Sequence, residues 1–524
     1  MKVLVTGGTG VVGQAAVTEL LRQGHAVRVL SRNADEVCEQ WPEGVEAWPA
    51  AVTEQAELRG CAEGCDVVLH VAGIIEESPP ENTYETVNVE GTRAIVREAE
   101  RCKVGRFIYL SSLGADAGTS PYHRSKRRAE EIVRGFAGGW IILRPGNVYG
   151  PGDEVISLTL TMVRTLPVIP VIGGGDHEFQ PIWVEDLAQA IGEAVRRTDL
   201  HGRVLELAGE ERTSLNAILD HLSEITGRSP TRVPIPTFLA SAGANMAGML
   251  GVKVPLTESQ VTMLSEGNWI RTPGTNALTG VFHIKPTPLD SGLRKLADSQ
   301  PEQTPEKGVG SFKRRRYWID ISGSTLSAEE LFSRFRERFS EVVPITMDLN
   351  AEPDTPKVLE KGSTITMGLP LRGNIQVRVE ELTAKEAVLV TVAGHPMAGA
   401  VRFLSEQIGD ALRFQVQLYD RPANLADWFL MRTVGETVQS RSWESMLESL
   451  IAESGGSCPG GIQHEEELLD ADKAERVEGW LRDLILARKR EHYAATTEPS
   501  PATTSAKRRR AESTQAEDAV IQGP

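Results

Sequence analysis

The sequence predicts an α/β protein in which a parallel β-sheet with helices on both faces precedes a smaller α+β domain. Three observations lead to this fold class. Up to about residue 298, short apolar runs alternate with amphipathic helical segments, as in parallel sheets whose strands are joined by helices. A glycine-rich loop links the first apolar run to the first helical segment. Beyond about Phe312 the pattern alternates with period two, which is typical of half-exposed antiparallel strands.

The elements follow from these patterns in chain order. In the first domain, strands are predicted at 3–5, 26–30, 66–70, 106–110 and 140–143, with helices at 14–23 and 92–101 among the intervening segments. In the second domain, the patterns predict strands at 317–321, 374–379 and 412–418, a helix at 327–339 and a long helix at 424–452.

Domain boundaries are predicted from composition. Residues 1–298 form the parallel-sheet domain, and the stretch rich in proline, glycine and glutamate at 299–311 is interpreted as a linker. Residues 312–492 form the α+β domain. The segment 493–524, rich in Thr, Ser, Pro and Ala, is predicted to be a disordered tail.

Composition narrows the class of protein and its partners. The chain has 524 residues, 40% hydrophobic and 24% charged, as expected for a soluble globular protein with more than one domain. A net charge of −16 argues against a nucleic-acid partner, because neutralising phosphates requires a basic surface. The five cysteines form no CxxC pair and no metal-ligand spacing, so we expect reduced thiols, a cytoplasmic location and no metal site.

The apolar stretch at 238–254 bears on membrane contact. It is interrupted by Ser241, Asn245 and Lys253 and falls short of the roughly 20 apolar residues that a membrane span needs. We therefore expect a buried or interfacial helix and no transmembrane segment, with peripheral membrane contact left open.

The glycine loop indicates a dinucleotide cofactor. It runs from Thr6 to Gly13 between a predicted strand and a predicted helix, which is the context that a dinucleotide-binding Rossmann-type sheet requires. Glycines permit the tight turn and let backbone amides approach the pyrophosphate, which rests on the helix N-terminus. The loop residues predicted to contact the cofactor are Gly7, Thr9, Gly10, Val11, Val12 and Gly13.

The choice between NADP(H) and NAD(H) is read at the end of the second strand. An acidic residue there would accept hydrogen bonds from the NAD ribose. The sequence has Ser31 and Arg32 instead, a pair of donors suited to a 2′-phosphate. This favours NADP(H), although an arginine that only stacks on adenine would leave NAD(H) as the alternative.

A tyrosine and a lysine four residues apart, Tyr122 and Lys126, indicate proton transfer beside a nicotinamide. Residues at this spacing share one face of a helix. The lysine charge is expected to lower the phenol pKa from about 10 toward working pH. Ser112 lies ten residues earlier and is expected to hold the substrate oxygen.

Six motifs in one order resemble a known family. They are Thr6–Gly13, the run Asp66-Val-Val-Leu-His-Val-Ala-Gly73, the run Asn88-Val-Glu-Gly-Thr92, the run Leu110-Ser-Ser112, Tyr122-xxx-Lys126, and the run from Arg144 to Gly152. The pattern, over residues 1–298, resembles the extended or atypical short-chain dehydrogenase/reductases of the NAD-dependent epimerase/dehydratase kind. Residues 179–187 resemble the branch that contains the NADPH-binding accessory subunit of mitochondrial complex I.

The resemblance implies functional residues by position. It implies catalytic roles for Ser112, Tyr122 and Lys126, with Tyr122 and Lys126 also touching the cofactor. It further implies cofactor contacts from Val52, Ala72, Gly73, Ser111, Pro145, Gly146, Asn147 and Val148.

Two departures from the family pattern limit what the resemblance implies, one for the adenine contact and one for the substrate. The stretch Ala50-Ala-Val-Thr-Glu54 lacks the aspartate that relatives often carry before the adenine contact, which leaves a backbone amide near Val52 for that role. The interval from Ser112 to Tyr122 is shorter than in sugar-nucleotide epimerases, which argues against a UDP-sugar substrate.

The second domain resembles a helix-grip fold of the START/polyketide-cyclase kind in its order of elements alone. That resemblance implies a curved sheet wrapped around a long helix with an apolar cavity between them. Aromatic residues such as Trp428 and Trp443 would line such a cavity or form an ordinary core, and the sequence leaves both interpretations open.

Two functions of different classes follow. The first is an NAD(P)-dependent oxidoreductase or epimerase/dehydratase that moves hydride to or from a small-molecule carbonyl or alcohol, with an apolar substrate left open. The alternative is a non-catalytic NADP(H)-binding structural or redox-sensing protein. The intact set of Ser112, Tyr122 and Lys126 favours the enzyme, because a structural site needs no proton relay.

Overall fold

A computed structural model describes residues 1–41, 45–236, 267–272, 274–342, 351–353, 355–369, 372–430 and 436–497. The apolar stretch predicted as an interfacial helix, at 238–254, lies outside the described residues, as do residues 498–524 of the predicted tail. In the described ranges, no helix is long and apolar enough to cross a membrane.

The first 13 strands belong to the first domain. They are β1 (Lys2–Thr6), β2 (Ala26–Ser31), β3 (Val45–Pro49), β4 (Val67–His70), β5 (Arg106–Leu110), β6 (Gly139–Pro145), β7 (Val148–Tyr149), β8 (Val168–Ile172), β9 (Glu178–Phe179), β10 (Ile182–Trp183), β11 (Arg203–Leu207), β12 (Thr213–Ser214) and β13 (Thr231–Ile235). Seven of them form a parallel sheet in the order β11-β6-β5-β4-β1-β2-β3. This confirms the predicted parallel α/β fold.

Helices cover both faces of this sheet. The helices of the first domain are α1 (Val11–Arg22), α2 (Ala34–Cys38), α3 (Thr92–Arg101), α4 (Pro121–Arg134), α5 (Ile156–Thr165), α6 (Val184–Arg196), α7 (Leu215–Thr226), α8 (Ala277–Gly280) and α9 (Leu289–Asp298), with a π-helix at Tyr84–Gly91 and a 3₁₀ turn at Thr198–Leu200. Of these, α5, α7 and α9 pack together in a separate core beside the sheet. Successive residues of β1 show why both faces are apolar. Val3 and Val5 pack into the core that includes α1 and α6, whereas Leu4 packs into the core that includes α3 and α4.

The second domain is a seven-stranded antiparallel sheet with five helices among the described residues. Its strands are β14 (Lys313–Ile321), β15 (Thr364–Leu369), β16 (Gly373–Leu382), β17 (Glu386–Thr391), β18 (Met397–Ile408), β19 (Ala411–Pro422) and β20 (Gln463–Leu468), in the order β15-β16-β17-β18-β19-β14-β20. Its helices are α10 (Ala328–Glu337), α11 (Phe339–Val342), α12 (Leu425–Leu430), α13 (Glu436–Ser454) and α14 (Ala471–Thr497), with a 3₁₀ turn at Pro305–Lys307.

Both faces of the second sheet are covered. On one face α10 and α13 pack around an aromatic core that includes Phe335, Phe414 and Trp443. On the other face, Leu481 of α14 packs against Val388 of β17. The element order expected for a helix-grip domain is present, and that resemblance stays a prediction.

The structure corrects three expectations about this domain. Strand β16 was expected to be half-exposed, but Gly373–Glu380 is buried throughout, because α14 and the first domain cover its outer face. The predicted long helix at 424–452 is described as two helices, α12 and α13, with 431–435 outside the described residues. Helix α14 runs to Thr497, so the predicted tail is helical over its first five residues.

The basic run of β14 is neutralised within the sheet. Three ion pairs join it to β20, with nitrogen–oxygen distances of 2.8–2.9 Å: Lys313 with Glu466, Arg314 with Glu467, and Arg316 with Glu465. The basic residues at the start of β14 are therefore paired with the three consecutive glutamates of β20. Among the described residues no group of three or more His, Cys, Asp or Glu is placed to hold a metal ion.

Candidate active site

The backbone of the glycine loop between β1 and α1 packs closely against the backbone of Ala72 and against itself. Gly7 has a φ of +69°, and a Cβ there would lie 2.8 Å from the Cα of Ala72. A Cβ on Gly13 would lie 2.1 Å from the Gly7 oxygen. Gly10 caps α1 without a side-chain hydrogen bond, and a Cβ there would have its nearest neighbour 3.6 Å away. The loop thus leaves the start of α1 open to an anion, as a dinucleotide pyrophosphate requires.

A cleft of about 870 Å³ opens beside this loop at the carboxyl ends of the parallel strands. All the residues predicted for cofactor or catalysis line it: Gly7, Thr9, Gly10, Val11, Val12, Gly13, Ser31, Arg32, Val52, Ala72, Gly73, Ser111, Ser112, Tyr122, Lys126, Pro145, Gly146, Asn147 and Val148. Residues separated by up to about 140 positions in the sequence therefore face one cavity.

The end of β2 carries hydroxyl groups and a cation. The hydroxyls of Ser31 and Thr9 lie 2.6 Å apart, and Thr9 donates to the side chain of Asn33 at 2.9 Å. Arg32 is exposed at the rim of the cleft. The cleft-lining residues at this end, which include Val52, carry no carboxylate.

Helix α4 holds the tyrosine and the lysine. Its cap is Ser120, whose hydroxyl accepts a hydrogen bond from the His123 amide, and Pro121 begins the helix. Tyr122 and Lys126 then face the cleft and are 8% and 5% exposed. The lysine Nζ donates to the Leu110 carbonyl at 3.0 Å and lies 6.0 Å from the centre of the Tyr122 ring.

Burial dominates the proton affinities of these two groups. It lowers the pKa of Lys126 to about 8, with the carboxylate of Glu130 acting in the opposite direction. Burial raises the pKa of Tyr122 to about 12, against a hydrogen bond with Ser112 that lowers it. The expectation that Lys126 lowers the phenol pKa is therefore wrong for the protein without a bound cofactor. The hydrogen bond does place Ser112 beside the phenol.

Glu130, one turn after Lys126, was missed from the sequence. It is buried and accepts a hydrogen bond from Ser111 at 2.7 Å and two from Arg144 at 2.8 Å. These contacts tie α4 to the ends of β5 and β6. Its position four residues after Lys126 was the available signal, because it repeats the spacing from Tyr122.

Asn88 braces the loop that follows β4. Its side-chain oxygen accepts from the Ile74 amide at 2.9 Å, and its nitrogen donates to the Ile74 carbonyl at 3.1 Å and to Ser125 at 3.0 Å. A Cβ on Gly73 would lie 3.1 Å from both this oxygen and the Lys126 Nζ. A side chain at position 73 would therefore require Asn88 or Lys126 to shift by a few tenths of an ångström.

The end of the cleft away from β2 has an apolar wall. Val155, Ile156 and Phe179 line both the cleft and a small adjoining apolar pocket between α5, β8 and α7. The side-chain oxygens of Asn147 and Asn268 are buried here and make no hydrogen bond within the described part of the chain. Asn268 had no sequence signal, and Phe179 was noted only as the first residue of the family-like run 179–187, because both residues reach the cleft through tertiary structure.

The family model described as NAD dependent epimerase/dehydratase family matches residues 3–208. A ceramide reductase of Caulobacter vibrioides is 36% identical over 249 residues, which cover 46% of this chain and 76% of that protein. Sterol demethylase protein B of Methylococcus capsulatus is 29% identical over 291 residues, or 49% of this chain and 82% of that protein.

A third relative is a respiratory-chain subunit. NADH dehydrogenase (ubiquinone) 1 alpha subcomplex subunit 9 of Rattus norvegicus is 25% identical over 305 residues, or 55% of this chain and 77% of that protein. Among solved structures, a UDP-glucose 4-epimerase of Thermus thermophilus in complex with NAD has a TM-score of 0.44 and 22% identity, covering 57% of this chain and 98% of that one. With its matching model and its 36% identical relative, this chain belongs to the NAD dependent epimerase/dehydratase family.

Proposed function

We propose that the protein is an NADP(H)-dependent oxidoreductase that transfers hydride between the nicotinamide and an apolar carbonyl or alcohol substrate. The observation that carries this proposal is that Ser112, Tyr122 and Lys126 line the same cleft as the glycine loop. The scattered free cysteines favour a cytoplasmic protein.

The three side chains have distinct roles in the reduction of a carbonyl. NADPH, held by the glycine loop and Lys126, would supply the hydride to the carbonyl carbon. Tyr122 donates its phenolic proton to the carbonyl oxygen, and a proton from solvent later restores the phenol. Ser112 donates a hydrogen bond to the same oxygen and orients it. Lys126 holds the cofactor ribose with its ammonium group and favours the phenolate that forms after proton transfer.

An apolar substrate is supported by the wall opposite β2. Val155, Ile156 and Phe179 offer it no charged group, and the adjoining pocket is lined by aliphatic side chains together with Thr159 and Phe179. Two relatives are named for a ceramide and a sterol, both of which are lipids. We assign the buried oxygens of Asn147 and Asn268 to accept hydrogen bonds from a hydroxyl or amide of the substrate.

Arg32 is expected to select NADPH over NADH. Replacing Arg32 with Ala should weaken NADPH binding by about 1.5–3 kcal/mol, the range for hydrogen bonds to charged groups, and leave NADH binding nearly unchanged. Fluorescence titration of both cofactors checks this result. Arg59→Ala serves as a matched control, because Arg59 is exposed and lies outside the cleft. Equal losses for both cofactors would refute the assignment.

The proposed activity is tested by following NADPH absorbance with a panel of ketones and aldehydes of increasing chain length. We expect oxidation of NADPH, with kcat/KM rising as the apolar chain grows. The relative from the respiratory chain favours a second candidate, an NADP(H)-binding structural or redox-sensing protein. Tight NADPH binding without turnover of any member of the panel would support that alternative.

A further inference from the structure

The segment that follows α9 reaches the cleft from the side of the second sheet. Pro301 lines the cleft, and its Cγ would lie 3.7 Å from a Cβ on Gly152. The next two residues pair with the second sheet, since Glu302 forms an antiparallel bridge with Val392 and the Gln303 amide donates to the Thr391 carbonyl at 2.7 Å. A residue of the predicted linker thus forms part of the cleft wall.

Arg378 of β16 fixes the backbone of this segment. Its guanidinium donates to the carbonyls of Asp298 at 3.1 Å and Gln300 at 2.8 Å, and to the Glu302 carboxylate at 2.5 Å. Glu302 also accepts from Arg488 of α14 at 2.6 Å. Surrounding cations lower the pKa of Glu302 to about 2, so the carboxylate stays charged across the physiological range.

Gln300 links this segment to the first turn of α5 and the loop before it. Its side-chain nitrogen lies 3.3 Å from the Ser157 hydroxyl, which in turn lies 2.8 Å from the Asp153 carboxylate and 3.1 Å from the Gly150 carbonyl. Asp153 accepts from the amides of Val155, Ile156 and Ser157 at 2.7–3.0 Å. Residues 151–156 line the cleft.

The other end of α5 is also held by the second domain. Arg164 makes two hydrogen bonds with Glu352, at 2.8 and 2.9 Å, and one with Gln376 of β16 at 2.7 Å. All three side chains are buried. Helix α5 and the loop before it are therefore anchored at both ends by groups outside the parallel sheet.

We propose that the second domain completes the cleft, with Arg378 as a positioning residue that holds Pro301 and the loop 150–156 in place. The loop approaches α1, because a Cβ on Gly150 would lie 3.6 Å from Val11 at the start of that helix. Loss of this support is expected to loosen the loop and weaken the dinucleotide site. The expectation for NADPH rests on the proposed function, whereas the expectation for loop motion does not.

The test compares full-length Arg378→Gln and Gln300→Leu with the wild type. Arg378→Gln leaves Glu302 paired with Arg488 and Lys489, so it creates no unpaired buried carboxylate. Arg413→Gln is the matched control, because Arg413 also makes two hydrogen bonds, at 2.7 and 2.9 Å, but with Asp320 inside the second domain. Amide hydrogen exchange of residues 152–157 and NADPH titration are measured on each protein.

We expect both variants to exchange these amides about tenfold faster or more and to bind NADPH at least about 5-fold more weakly, with the control unchanged. If Arg378→Gln does not fold, Gln300→Leu alone tests whether these contacts hold the loop 150–156 in place. Unchanged exchange and affinity in the folded variants would overturn the inference. A wild type that binds no NADPH would refute the proposed function, and the exchange measurement would still test the role of the second domain.

Discussion

Replacing Tyr122 with Phe is expected to lower kcat by about 10²-fold or more, the usual contribution of a positioned proton donor. The substitution removes the phenolic hydroxyl and keeps the ring, which packs edge-on against Tyr84 with ring centres 5.9 Å apart. Cofactor affinity should therefore change little. Steady-state kinetics with the best substrate of the carbonyl panel, together with NADPH titration, measure the two effects separately.

A matched control for this variant is Tyr419→Phe. The Tyr419 hydroxyl donates to Gln417 at 2.8 Å inside the second domain, so its loss should leave turnover unchanged. A Tyr122→Phe variant that turns over as fast as the wild type would refute the mechanism. Such a result would favour the structural or sensing function.

Replacing Lys126 with Met is expected to reduce both NADPH affinity and kcat, because one ammonium group serves the ribose and the phenolate. The buried Nζ donates to the Leu110 carbonyl at the end of β5, and Met fills a similar volume without the charge. We expect NADPH to bind about tenfold more weakly or worse, since hydrogen bonds to charged groups contribute about 1.5–3 kcal/mol. Lys385→Met, at an exposed ion pair with Glu329, is the control.

The pH dependence of NADPH binding tests whether Lys126 is the group that binds the cofactor. In the proposed mechanism the charged form of Lys126 binds the ribose. Burial lowers the pKa of Lys126 to about 8, so affinity should be full below that pH and fall as pH rises through it. The neighbouring groups titrate at other pH values. Burial lowers the pKa of His70 to about 3, raises the pKa of Tyr109 well above its usual value and raises that of Tyr122 to about 12. Arg144 and Ser111 help lower the pKa of Glu130. The Lys126→Met variant should lack this transition. A transition near pH 8 that persists in the variant would assign it to another group.

The parallel sheet could be predicted because its central strands are buried on both faces and appear as continuous apolar runs. The edge strands could not. Strand β3 has only five residues, and its apolar run is interrupted by Glu46, which pairs with Lys2 and Arg28 across the sheet surface. Strand β11, at the other edge of the sheet, also carries charged residues, Arg203 and Glu206, between its apolar ones, because an edge strand is partly exposed.

The cofactor cleft could be predicted residue by residue where local motifs carry the geometry. Gly7 and Gly13 of the first loop are required because a Cβ on Gly7 would lie 2.8 Å from the Ala72 backbone and a Cβ on Gly13 would lie 2.1 Å from the Gly7 oxygen. The direction of the Tyr122 pKa shift could not be predicted, since it depends on burial in the folded protein and on the electrostatic effect of the neighbouring Tyr84. Pro301 lies in a stretch whose composition is that of a linker. It lines the cleft because the residues next to it pair with the second sheet, which the sequence does not reveal.

The buried charges of β16 show a second limit of sequence patterns. The alternation of Asn374, Gln376, Arg378 and Glu380 with apolar residues predicts a solvent-facing side. In the structure that side faces α5 and α14 and is filled by ion pairs and hydrogen bonds. A period-two pattern reports which side chains are polar, and it does not report whether water or another domain lies against them.

Deuterium transfer from NADPH labelled at C4 of the nicotinamide tests the central proposal most directly. The wild-type protein is incubated with each 4-deuterated epimer of NADPH and the carbonyl panel, and the products are analysed by mass spectrometry. We expect one epimer to yield an alcohol that carries deuterium on the former carbonyl carbon, and Tyr122→Phe to yield about 10²-fold less. NADPH that binds without giving deuterium to any product would contradict the assignment of this cleft as a hydride-transfer site.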